Sequence, residues 1–301
     1  MGIKHLLMGR LTGFLNKETG AYPDGVPMTD FERLCEELHQ ADVILVEGIS
    51  RVSEVIKSIT NSSWTHAALY IGRLDDIKDG TVQNSIAEHY SGAPHEQLLI
   101  EALLGEGTII SPVSKYAGFH LRICRPRGLS RSDRKQVIAY AVGQLGYEYD
   151  VRHLLDLARF LLPYSFIPKR WRSTLFEHKM SDSTRNVCSS MLAEAFASVS
   201  YPILPIAERE DNGGLKLHRR NTRLNTPKDF DYSPYFDIIK YPYFNFDEVA
   251  AYRSLPWDAE GMICNIEGDC FIPVKNGKGQ KVQDSSESML EEKPPPVKTA
   301  E

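Results

Sequence analysis

The stretch Trp64-Thr65-His66-Ala67-Ala68-Leu69-Tyr70-Ile71-Gly72 decides the reading of this chain. Aromatic, small and aliphatic residues closed by a glycine have the composition of a strand. The strand carries one histidine, and Ala67 and Ala68 leave space beside its ring. An imidazole with an ordinary pKa of about 6.5 suits proton exchange at neutral pH. A histidine in a strand can equally be a satisfied core or edge residue. Further on, Leu98-Leu99-Ile100-Glu101-Ala102-Leu103 is a second strand-like run with one carboxylate in apolar surroundings. That carboxylate either faces solvent or needs a partner, because burying it unpaired is costly. If the two strands are neighbours, Glu101 can accept the imidazole N–H of His66 and orient the ring. Glu88 and Asp76, in the polar stretch between, are weaker candidates for that role.

The third chemical signal is Asn186-Val187-Cys188-Ser189-Ser190-Met191-Leu192-Ala193-Glu194-Ala195-Phe196, in which a cysteine opens an apolar, alanine-rich helix. A helix N-terminus carries partial positive charge and unpaired N–H groups, which favour thiolate over thiol. The small Ser189 and Ser190 let a carbonyl approach the backbone N–H of Cys188, half of an oxyanion hole. The plainer alternative is a small buried hydrophobe. Tyr149, in Gly146-Tyr147-Glu148-Tyr149-Asp150, either packs or donates its hydroxyl to the site. Cysteine, histidine and acid together make a nucleophile, a base and an orienter.

Outward from these runs the chain organises readily. Asp42-Val43-Ile44-Leu45-Val46-Glu47 predicts a buried strand, and Val52, Val55, Ile56 and Ile59 recur at helical spacing. Residues 73–97 are polar and read as an excursion. Strands are expected at Thr108–Ile110, His120–Arg125 and Ile238–Ile239. Thr29-Asp30-Phe31-Glu32 and Ser130-Arg131-Ser132-Asp133 have the capping-box pattern. The second opens a helix with Val137, Ile138, Ala141, Val142 and Leu145 on one face, closed by Gly146. Asp150 can cap another helix that Pro163 stops. Grouped strands and helices predict an α+β fold, with an antiparallel sheet packed against helices. Residues 1–40 form an N-terminal extension, 41–242 the main domain, and 243–301 a C-terminal extension. From about residue 276 the composition, with Pro294-Pro295-Pro296, predicts disorder.

Composition limits the function. The chain has 301 residues, 42% hydrophobic and 25% charged, values of an ordinary globular protein. A net charge of −5 argues against general binding to nucleic acid, which needs a basic surface. Five cysteines without a CxxC pair argue against a zinc ribbon. Cys264 and Cys270 can pair only in an oxidising compartment, and free thiols are the simpler expectation. His89, His95 and His120 match no zinc pattern, so neither metal nor other cofactor is expected. No apolar run reaches the ~20 residues of a spanning helix, and the first residues make no signal peptide, so a cytoplasmic protein is expected. Leu6, Leu7, Leu11, Phe14 and Leu15 fall on one face of a short helix, which suits either peripheral membrane contact or packing. The sequence is silent on oligomeric state.

At these residues the chain resembles the permuted papain-like cysteine amidases of the YiiX and YaeF type, within the NlpC-like superfamily. The pieces that carry the resemblance are Asp42–Leu45, Trp64–Gly72, Ile100–Ala102, Gly146–Asp150, Val187–Ser190 and Thr226–Phe230. They run in the family's order across roughly residues 40–242. The histidine strand precedes the cysteine helix, as in the permuted group. The resemblance implies a papain-like fold, with His66 and Glu101 on an antiparallel sheet, Cys188 on a helix, and Tyr149 as the family's tyrosine near the nucleophile. It implies a thiol hydrolase that cleaves an amide, peptide-like bond through an acyl-enzyme. Related permuted enzymes of the lecithin:retinol acyltransferase group imply an acyl-lipid substrate instead, and a non-catalytic binding module is the reading from another class.

Overall fold

A computed structural model of the chain describes residues 13–18, 28–147, 188–210, 213–244, 246, 249–255 and the short strands beyond. Two compact units are present, residues 1–245 and 246–301. Within the first lie α1 (Phe31–Glu37), β1 (Val43–Glu47), α2 (Arg51–Thr60), β2 (His66–Arg73) and α3 (Gly80–His89). They are followed by β3 (Gln97–Leu103), β4 (Gly107–Pro112), β5 (His120–Pro126) and α4 (Arg131–Val142). Then come α5 (Cys188–Ser198), β6 (Ile206–Arg209), β7 (Leu215–His218), α6 (Pro227–Tyr232) and β8 (Phe236–Ile239). In the second unit the strands β9 (Ile263–Cys264), β10 (Cys270–Ile272) and β11 (Gln280–Lys281) form a three-stranded antiparallel sheet.

The first unit is built on a six-stranded sheet in the order β4-β3-β2-β1-β5-β8. All its pairs are antiparallel, as expected of an α+β fold, with Val43 opposite Leu69 on one side and Cys124 on the other. The run Val43-Ile44-Leu45-Val46 is apolar at every position because both faces are covered. Val43 and Leu45 enter one cluster with Ala67, Leu69, Met191 and Phe196. Ile44 and Val46 enter the other with Leu34, Ala68, Tyr70 and Tyr116. The first face is closed by α4 and α5, the second by α1 and the single-turn helix Val113–Tyr116. Phe196 sits in an aromatic nest with Tyr201, Phe230 and Phe236, at ring separations of 5.5, 6.3 and 5.3 Å. The nest ties the cysteine helix α5 to α6 and β8.

Several local expectations need correction. Residues 73–97 are more than an excursion: Asp79 accepts from Thr81 N and Val82 N and starts α3, whose Ile86 is fully buried. One buried residue in a polar helix leaves little periodicity to read. In the first capping pattern Asp30, one residue later than expected, caps α1 through Arg33 N. Thr29 is instead spent on β5, its hydroxyl accepting from Leu121 N at 2.9 Å. Helix α1 packs on the second cluster through Leu34, its one buried residue. Ser130 caps α4 as its pattern requires, but Gly143 ends that helix, and Gly146 serves the following turn with φ +79. Gly72 also needs its positive φ of +94, at a register shift between β2 and β3. The hairpin β6–β7 had no distinct signal. Strand β11 pairs with β10 inside the tail expected to be disordered, since backbone pairing needs no apolar side chain. Tyr149 and the helix expected from Asp150 lie outside the described residues. No helix among the described residues is long and apolar enough to cross a membrane.

Phe196→Ala should lower stability by about 3–5 kcal/mol, because it empties the nest under the cysteine helix. Urea unfolding followed by tryptophan fluorescence measures this. Leu217→Ser, at a position 54% exposed, should change the unfolding free energy from the same measurement by less than about 0.5 kcal/mol.

Candidate active site

Each of two elements contributes its first residue to the site. His66 opens β2 and Cys188 opens α5. Helix α5 packs on the sheet through Met191, Leu192, Ala195 and Phe196, all fully buried. This packing carries its N-terminus to the end of the sheet where β2 begins. Cys188 is 5% exposed and packs on Ala102 of β3. Ser189 Oγ donates to Asn225 O at 2.7 Å and holds that end of the helix against the 222–226 segment. Glu194, one helical stretch further, is held by Tyr140 and Thr222.

His66 Nε2 lies 2.7 Å from Glu101 Oε2, and the same imidazole is within electrostatic reach of the Cys188 side chain. With Nε2 committed to the carboxylate, Nδ1 is the ring nitrogen left for sulfur. Strand pairing explains the reach. β2 and β3 are adjacent, with Leu69 opposite Ile100, and odd–even alternation sets His66 and Glu101 on the same sheet face. Glu101 is fully buried. Besides His66, Lys115 Nζ donates to its Oε1 at 2.8 Å, and the Tyr116 hydroxyl donates to its Oε2. The sequence reading missed Lys115 and Tyr116. Their link to Glu101 spans the β3–β4 hairpin and a single-turn helix, so no local pattern announces it.

The electrostatics follow from these contacts. Burial works against the imidazolium of His66, but the charge and hydrogen bonds of Cys188 and Glu101 outweigh it and raise its pKa to about 10. Burial likewise opposes ionisation of Cys188, yet His66 and N–H groups of Ala67 and Ser189 hold its pKa below the ordinary thiol value. Glu101 stays well below the usual carboxylate range because His66 and Lys115 overcome its burial. Burial and the adjacent carboxylate push Tyr116 upward, so its hydroxyl keeps the proton it donates. The other thiols differ: burial alone pushes Cys35 up to about 11, and burial also raises Cys124. Both shifts favour the thiolate–imidazolium form of the pair over the neutral one.

Cys188 and His66 line a cleft of about 470 Å³. Gly48 lies on its wall, where a Cβ would stand 2.3 Å from Ser53 Oγ and 2.8 Å from Thr65 Oγ1 and force those side chains to move. The remaining candidates are elsewhere. Glu88 and Asp76 do not line the cleft. Among the described residues no group of three or more His, Cys, Asp or Glu side chains could hold a metal ion. His89 is bonded to Ser85 O and His120 to Glu47.

Residues 37–160 match a family model described as permuted papain-like amidase enzyme, YaeF/YiiX, C92 family. This bears out the resemblance read in the sequence, and it supports a cysteine-hydrolase-like function. The matched span includes His66 and Glu101 and stops before Cys188. Among solved structures the chain is similar to the metalloprotein yiiX of Escherichia coli O157:H7. The identity is 13% and the TM-score 0.40, over 67% of this chain and 97% of that one. No curated protein sequence matches the chain.

Iodoacetamide should alkylate Cys188 rapidly at neutral pH and leave Cys35 and Cys124 slow, as peptide mapping by mass spectrometry would report. His66→Ala removes the positive charge and leaves burial, so the thiol pKa should rise above the ordinary value. Labelling at pH 7 should then slow by at least about tenfold, the loss of thiolate for each unit of pKa. Equal labelling rates in the two proteins would dismiss the ion pair.

Proposed function

We propose that this protein is a thiol hydrolase that cleaves an amide, peptide-like bond, with Cys188 as nucleophile, His66 as base and Glu101 as orienter. One observation carries the reading: an imidazole hydrogen-bonded to a buried carboxylate lines the same cleft as a cysteine that opens a helix. The amidase family match supports the same reaction class.

In the resting pair the Cys188 proton resides on His66. The thiolate attacks the carbonyl carbon and a C–S bond forms. Charge develops on the carbonyl oxygen, for which the N–H of Cys188 at the start of α5 is the candidate donor, with Tyr149 as the second. The tetrahedral intermediate collapses as the C–N bond breaks, and the leaving amine takes the proton from His66. Water then attacks the thioester, passing a proton to His66, and the carboxylic acid departs with the thiolate restored. Glu101 accepts from His66 throughout and stabilises the imidazolium without taking its proton. Lys115 and Tyr116 fix the carboxylate so that its orientation does not vary between steps.

Cys188→Ala should abolish turnover of an activated acyl substrate while circular dichroism remains that of the wild type. A variant that kept full turnover would end the proposal. The pH profile supplies a second test. Activity requires a protonated His66 beside a thiolate, so kcat/KM should rise through the acid limb as the pair forms and fall as His66 loses its proton near pH 10. Glu101→Gln removes the negative charge that raises the His66 pKa. Its alkaline limb should therefore move to lower pH, with kcat reduced by orders of magnitude.

A further inference from the structure

Residues 13–18 precede the span matched by the family, yet they reach the cleft, and Asn16 and Glu18 both line it. On one rim the segment is held by the start of α2. Arg51 N donates to Lys17 O at 3.1 Å, and Glu18 forms an antiparallel bridge with Ser50. The Arg51 guanidinium lies 4.0 Å from the centre of the Phe14 ring. On the other rim, Asn16 Nδ2 donates to Leu104 O at 3.0 Å, in the turn between β3 and β4. Ser50 and Leu104 themselves line the cleft, so the Asn16 side chain joins its two rims.

Sheet topology fixes what this link passes. In the order β3-β2-β1, with both pairs antiparallel, the end of β1, the start of β2 and the end of β3 fall on one margin of the sheet. The loop after β1 carries Ser50, and the turn after β3 carries Leu104. A link from one to the other runs past the start of β2, which is His66. It therefore crosses the cleft on the side of the reacting pair.

Such a bar sorts substrates by shape. A small amide or a chain terminus enters beside it. A polymer that continues on both sides of the scissile bond would have to occupy the place of the Asn16 side chain. The strands bordering the cleft, β1, β2 and β3, are interior to the sheet, so an extended chain finds no open strand edge there to lie along. The cleft volume of about 470 Å³ falls in the ~300–1,000 Å³ range of pockets that enclose small ligands.

We infer that the link from Asn16 to Leu104 bars the cleft to continuous polymers, so that Cys188 acts on small amides and chain ends, with Asn16 as a specificity-determining residue. The inference rests on the thiol-hydrolase reading and narrows its substrate class. The chemistry at sulfur is unchanged, and only the shape of the acyl donor is restricted.

Cys188 itself reports the bar, whatever the natural substrate. The probe is one iodoacetyl group carried by a long glycine–serine peptide, either at its terminus or at its centre. In the wild type the terminal probe should alkylate Cys188 at least about fivefold faster than the central one, the factor for opening one hydrogen bond of ordinary net strength. In Asn16→Ala the ratio should fall towards unity. Asn16→Asp keeps the size of the side chain without its N–H donors and should behave as Asn16→Ala does. Iodoacetamide labelling of each protein corrects for changes in the nucleophile, and thermal unfolding reports whether the fold is intact. Equal rates for the two probes in the wild type overturn the inference, as does a ratio that either substitution leaves unchanged. With rapid labelling of Cys188 by iodoacetamide, the thiol hydrolase stands in both cases. If iodoacetamide labels Cys188 no faster than Cys35, the hydrolase reading itself fails, and the inference with it.

Discussion

A carboxylate removed from water stays charged only where donors replace its hydration, and Glu101 meets that condition. Its oxygens accept from His66, which opens β2, and from Lys115 and Tyr116 of one single-turn helix. The hairpin from β3 to β4, the single-turn helix Val113–Tyr116 and the first residue of β2 must all be in place for this satisfaction to hold. Breaking one of the contacts leaves a buried charge short of a partner, a defect that typically costs about 3–5 kcal/mol. The site and the stability of this end of the sheet are thus coupled through one side chain.

The same charge organises the chemistry further along. It keeps the imidazole protonated, and the imidazolium in turn lets a buried sulfur ionise against its own desolvation. Helix α5 contributes its N-terminal N–H groups to the same end. None of these elements holds the arrangement alone. The helix is placed by the aromatic nest around Phe196, and the strand by a core that covers both faces of the sheet. Packing far from sulfur therefore sets distances that the chemistry uses.

The cleft shows a second consequence of burying polar groups. Hydroxyls along its wall find partners inside the protein, so a surface that reads as mixed in sequence behaves as apolar in space. Ser53, Thr60 and Thr65 act as internal ties. At Gly48 the backbone passes close to Ser53 and Thr65, and its N–H donates to Thr65 Oγ1.

The sequence by itself determined the six strands of the main sheet and helices α1, α2, α4 and α5. Unbroken apolar runs such as Val43–Val46 report burial on both faces, and the pattern at Ser130 reports the start of a helix, because both are local effects of periodicity and capping. It also brought out His66, Glu101 and Cys188 as unusual residues in their surroundings. It could not give Lys115 and Tyr116, the helix capped by Asp79, or the side of the sheet that Glu101 faces. Those depend on strand register, on hairpin closure and on which hydroxyls find internal partners. Tertiary structure decided them because hydrogen bonds between residues far apart in the chain leave no periodic trace along it.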